Sequence, residues 1–135
     1  MDDPSRQATG VPSMAEIEAR ADLDDHTGVV ALSQARLAAL PDDVRTQQLL
    51  QQSEAVLEHM YLAKIGGTKT QLRVLMSPDK LQWLSIDHRA GFLLSRIDGP
   101  TSVSDVLEIS SMSRLDTLRR LHELLQQKVI GSADP

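Results

Sequence analysis

The chain has 135 residues, a formal net charge of −5, no cysteine, and one Trp, one Tyr and one Phe. That length allows one domain or two small ones sharing a core, and the missing cysteine excludes disulfides and thiolate metal sites. No apolar run approaches the roughly 18 residues that span a bilayer, and the acidic opening MDDPSRQATG lacks the apolar segment of a signal peptide, so a cytoplasmic protein with no membrane insertion is expected.

Residues 1–12, with Pro4, Gly10 and Pro12, read as a disordered leader. Ser13 and Glu16 stand at capping-box spacing and open a short helix over 14–21. The acidic stretch 22–27 breaks it. Residues 28–40 form the next helix, with Val29, Leu32, Arg36 and Leu40 in one row, and Pro41 stops it. Asp42 or Asp43 caps a longer helix over 44–64. On it Leu49, Ser53, Val56 and Met60 share a face, with Leu50, Leu57 and Tyr61 beside them. Gly66-Gly67 ends that helix. RVLM (73–76) is a short strand between Gly67 and Pro78. Asp87 caps a helix through Ile97, and Asp98-Gly99-Pro100 is a turn. Ser102 with Asp105 caps a helix over 103–109, and Ser113 with Asp116 caps one over 114–127. Residues 128–131 add a strand that pairs with RVLM or with a partner, and 132–135 form a frayed tail.

The run AGFLLSRIDGPTSVSDVLEISSMSRLDTLRRLHELLQQKVI resembles small bacterial winged-helix modules. It is similar in layout to peptide chaperones of the PqqD type and to modules at the ends of bacterial signalling proteins. A clear β-hairpin before its first helix is missing. GVVALSQARLAALPDD resembles the second helix of a tetratricopeptide repeat with its closing Pro. Arrays of such repeats need about three units to bury their faces, so one and a half units imply packing on the C-terminal module or on another chain. The expected organisation is a helical hairpin over 13–67 and a winged-helix-like module over 68–131.

Several motifs invite chemistry. His26, His59, His88 and His122 lack i, i+4 partners and an HExxH frame, and no zinc set converges. GGTKT fails as a phosphate loop because Thr68 separates Gly67 from Lys69. Asp87-His88-Arg89 reads as a helix start, with no nucleophile assigned to it. Trp83, Phe92, Met76 and Met112 read as core residues, or alternatively as a partner patch. No enzyme and no cofactor are expected.

Two binding readings remain open. In the preferred one, the chain is a bacterial adaptor or regulatory subunit of a signalling, polarity or motility system. It binds a protein partner through the acidic hairpin (Leu57, Met60, Tyr61) or through an exposed edge strand (Arg73, Val74, Leu75, Met76). Homodimerisation would cover the unfinished repeat face. In the alternative, the chain reads DNA with Arg114, Arg119, Arg120 and Lys128. Against that, residues 1–68 carry 5 Lys/Arg and 11 Asp/Glu, and residues 69–135 carry 9 and 8. Neither half has the basic surplus of a DNA binder. A third possibility, implied by the peptide-chaperone resemblance, is peptide binding in the groove beside the wing.

Overall fold

A computed structural model describes residues 10–82, 84 and 86–133. Among them the protein is mainly helical, with a small three-stranded antiparallel sheet. The expected leader over 1–9, the place of Trp83 and the tail at 134–135 lie outside the described residues.

The chain divides into two compact units, residues 1–57 and 58–135. The first holds α1 (Met14–Asp22), α2 (His26–Ala39) and the opening turns of α3 (Val44–Ile65). Each start is set by a side chain that satisfies an exposed backbone donor. Ser13 Oγ accepts from the Glu16 N–H (3.1 Å), and Asp25 Oδ1 from the Gly28 N–H (2.9 Å). Asp43 accepts from the Thr46 hydroxyl (2.8 Å) and backbone N–H (3.4 Å). Ile17, Val29 and Leu49 form the small core, with Met14, Ala21 and Leu32 packed against it. Order begins before residue 13, contrary to the disordered reading of 10–12. Pro12 is buried, and its carbonyl accepts from Arg36 Nη1 (2.9 Å). Arg36 Nε donates to Asp43 (2.8 Å). One guanidinium thus ties the segment before α1 to the start of α3.

The second unit takes the end of α3, then β1 (Gln71–Val74), α4 (Pro78–Leu81), α5 (His88–Arg96) and β2 (Thr101–Ser102). It continues through α6 (Val103–Ile109), α7 (Arg114–Gln126) and β3 (Ile130–Ser132). α3 ends at Gly66 and Gly67, both at positive φ (113° and 106°). Their N–H groups turn back to the Leu62 carbonyl (2.9 Å each). Asp87, Ser102 and Ser113 cap α5, α6 and α7. On α7, Leu118, Leu121 and Leu124 are buried along one stripe and meet Leu72, Leu93, Val103, Val106, Val129 and Ile130 in one core.

The sheet order is β2-β1-β3. Gln71 faces Ser102 and Leu72 faces Thr101 on one side. Leu72, Arg73 and Val74 face Ser132, Gly131 and Ile130 on the other. Two expectations are corrected here. The strand runs over 71–74, not 73–76. It is also the centre of the sheet rather than an exposed edge, because the two residues before α6 pair with it as β2. The C-terminal end is not frayed at 132–133 either. Ser132 belongs to β3, and the Ala133 N–H donates to the Gln71 carbonyl (2.7 Å).

Candidate functional site

Hydrogen bonding fixes which way β1 presents its backbone. The Leu75 N–H donates to the Val129 carbonyl (2.8 Å) and the Ala133 N–H to that of Gln71 (2.7 Å). Residues 71, 73 and 75 therefore aim their main-chain groups at β3. In an antiparallel strand the residues between them aim the opposite way. Leu72 meets Thr101 on that side. β2 is only two residues long, so it stops short of Val74. Among the described residues no hydrogen bond reaches the outward N–H or C=O of Val74. Among the described residues, one position on the central strand is thus open.

That position borders an apolar groove of about 570 Å³, lined by Val74, Leu81, Leu84, Ile86, Gly91 and Leu94, with Gln82 and Ser95 also on its wall. The α5 wall is set by helical spacing, since Gly91, Leu94 and Ser95 fall at i, i+3 and i+4. Gly91 lacks a side chain, and an added Cβ there would meet nothing within 4 Å. Leu84 is 37% exposed. An open strand position over an apolar floor suits an extended apolar peptide, which supplies main-chain partners and side chains together.

The α5 wall is anchored at its start. Asp87 Oδ1 accepts from the Ala90 N–H (2.8 Å), and Asp87 Oδ2 pairs with Arg120 of α7. The Ala90 hydrogen bond, aided by the Arg120 charge, holds the Asp87 carboxyl below its usual range despite partial burial. A polar cavity of about 80 Å³ adjoins the pair, lined by Ile86, Asp87, Arg120, Glu123 and Gln127. Ile86 borders both this cavity and the groove.

The four residues of the DNA alternative are not gathered into a free basic face. Arg120 is committed to Asp87, with its side chain only 16% exposed. Arg119 pairs with Asp116 (3.0 Å) and Arg114 with Glu58 (3.0 Å). Lys128 sits at φ 60° in the turn between α7 and β3.

The expected partner surface on α3 is largely withdrawn. Leu57 is buried and Met60 half-buried. Tyr61 packs on the C-terminal core, with its ring 5.4 Å from that of His122. Among the expected strand residues, Val74 lines the groove and Arg73 is exposed. Leu75 is 49% exposed and lies over Gly131, where an added Cβ would stand 2.7 Å from its Cδ1. Met76, Met112 and Phe92 pack against the core, and Arg96 stacks 5.2 Å from the Phe92 ring. The groove residues Leu81, Leu84, Ile86, Gly91 and Leu94 were missed as a site. The signal available was the apolar spacing of LQWLSI before the Asp87 cap.

The histidines make no reactive constellation among the described residues. His26 Nδ1 lies 3.1 Å from Ser53 Oγ, but Ser53 is 3% exposed. The neighbouring Asp25 is engaged by the Gly28 N–H and by Arg20. No three His, Cys, Asp or Glu side chains converge as a metal site requires.

No family model matches the chain, and neither the curated proteins nor the solved structures searched contain a match.

Proposed function

We propose that this chain is a non-enzymatic protein-binding adaptor that takes an extended apolar segment of a partner protein into the groove beside β1. The open position at Val74, set above an apolar floor, carries this reading. A docked segment would complete the main-chain hydrogen bonds of Val74 and bury the faces of Leu84 and Leu94. The arrangement of α6 and α7, joined by residues 110–113 beside a three-stranded sheet, supports treating the C-terminal unit as winged-helix-like. It is used here for protein rather than nucleic acid, because the arginines of α7 are spent on internal acids. A cytoplasmic place in a bacterial signalling, polarity or motility assembly is the setting that the module's resemblance implies. The groove is also the one place where the peptide-chaperone resemblance and the adaptor reading meet.

The test uses Gly91. Gly91→Trp fills the groove mouth from a position where an added Cβ meets nothing within 4 Å, and circular dichroism of the variant checks that the fold is retained. Tagged wild type and G91W are used for capture from nuclease-treated native lysate, and captured partners are titrated against both. A partner held by wild type and lost by G91W, with the Val74 amide resonance shifting on binding, supports the reading. A partner held equally by G91W overturns the groove as the site. Loss of all capture on nuclease treatment overturns the adaptor reading itself.

A further inference from the structure

We infer that Asp98-Gly99 is a site of spontaneous covalent modification, at which the chain converts to a β-linked isoaspartyl bond. Asp98 and Gly99 are both exposed, in the turn between Ile97 and β2. Among the described residues the Asp98 carboxylate makes no hydrogen bond or ion pair, and the Gly99 N–H is donated to nothing. Gly99 has φ 70°, and nothing lies within 4 Å of where a Cβ would stand. The carboxyl group and the next amide nitrogen are therefore engaged by nothing else among the described residues. Four other aspartates are engaged. Asp25, Asp43 and Asp87 cap helices and face arginines, and Asp116 holds Arg119. Asp98 is also the one aspartate in the sequence followed by glycine, so the attacking nitrogen carries no side-chain obstruction.

The chemistry needs only water. The Gly99 nitrogen attacks the Asp98 Cγ of the neutral carboxyl, and an N–Cγ bond forms. The carboxyl hydroxyl leaves with the amide proton as water, closing a five-membered imide. Water then adds at either carbonyl. Opening at Cγ restores the original chain, whereas opening at the Asp98 main-chain carbonyl breaks its bond to nitrogen and leaves the β-linkage. Because the carboxyl reacts as the neutral acid, the rate rises toward mildly acidic pH.

The place gives the reaction a structural consequence. β2 starts at Thr101, whose hydroxyl donates to the Gly99 carbonyl (3.1 Å). β2 pairs Thr101 with Leu72 and runs antiparallel to β1, so the turn over 98–100 lies at the end of β2 that is nearer Val74. The β-linkage adds one main-chain carbon at the rim of the open strand position. The modification itself stands independently of what the groove binds.

The full chain is incubated at neutral and at mildly acidic pH. It is then mapped by peptide mass spectrometry with electron-transfer fragmentation, and methyl transfer from S-adenosylmethionine by an isoaspartyl methyltransferase is counted. The expected result is isoaspartate confined to position 98, with no net mass change, forming faster in mild acid. Asp98→Glu, which keeps the charge but would require a six-membered ring, loses the signal while its circular dichroism is unchanged. Two results would overturn the inference. One is isoaspartate at 98 forming in the urea-unfolded chain but not in the native one. The other is methyl acceptance by Asp98→Glu equal to that of wild type.

Discussion

A carboxylate at a helix start is stabilised in its charged form by the N–H groups it accepts from and by any arginine alongside. Asp43 and Asp87 both stand in that position. Arg36, then Thr46, lowers the Asp43 carboxyl below its ordinary value. The Ala90 N–H, then the Arg120 charge, lowers that of Asp87. Because the folded values are depressed, the stabilisation is fully present above the unfolded value and is lost as pH falls through the folded one. Urea melts at a series of pH values should show stability falling below about pH 4. The fall should be shallower in Asp43→Asn and Asp87→Asn, which keep a capping oxygen without the charge. Asp87→Ala removes the cap as well and should cost about 1 kcal/mol. Its coupling to Arg120→Ala in a double-mutant cycle should stay below about 1 kcal/mol, since the Asp87 side chain is 52% exposed. Lys128 argues the opposite case. It holds a left-handed conformation that L residues adopt at a cost of about 1–2 kcal/mol. Lys128→Gly should therefore raise stability, read as a higher urea midpoint with an unchanged slope.

Helices were legible in the sequence because their determinants are local. Ser13, Asp87, Ser102 and Ser113 all lie just ahead of the helices they cap, and the apolar rows of α5 and α7 repeat within a few residues. The cap at Asp25 was not read: the helix expected from residue 28 starts at His26, inside the acidic stretch. Strand pairing is not local. β2 has two residues, too few to show alternation, and its sequence reads equally well as the approach to a capped helix. That short strand turned the expected edge into the sheet centre. Leu57 shows the same limit on a helix. The 3.6-residue rhythm placed it beside an apolar face without saying that the face is covered. Element-level energetics follow from burial. Leu121→Ala, in the fully buried stripe of α7, should cost about 2–5 kcal/mol. Gly91→Ala sits in the helical interior of α5 with nothing near its new methyl, and it should stabilise by up to about 1 kcal/mol. Thermal unfolding of the two variants reads both signs. A destabilised G91A would mean that the groove wall at Gly91 is not a plain helix with open space beside it.

At the scale of the whole molecule, the distribution of charge decides what the C-terminal unit can bind. Affinity for duplex DNA comes largely from cations that displace condensed counterions from phosphates, so it falls steeply with salt. A cation already paired with a carboxylate brings that carboxylate to the phosphate with it. Arg114, Arg119 and Arg120 each face an internal acid, and Glu123 lines the small cavity beside Arg120. The arginines of α7 are therefore not free to neutralise phosphates. Fluorescence anisotropy with mixed-sequence duplexes at low salt should show weak binding and a small salt slope. Arg119→Glu should leave both unchanged, with the melting temperature measured alongside to show that the fold persists. Arg120 is unsuited to that experiment, because a carboxylate there would stand against Asp87 inside the structure. A steep salt slope abolished by Arg119→Glu would show that the Asp116 pair opens on contact with phosphate. α7, rather than the groove beside Val74, would then be the working surface of this protein.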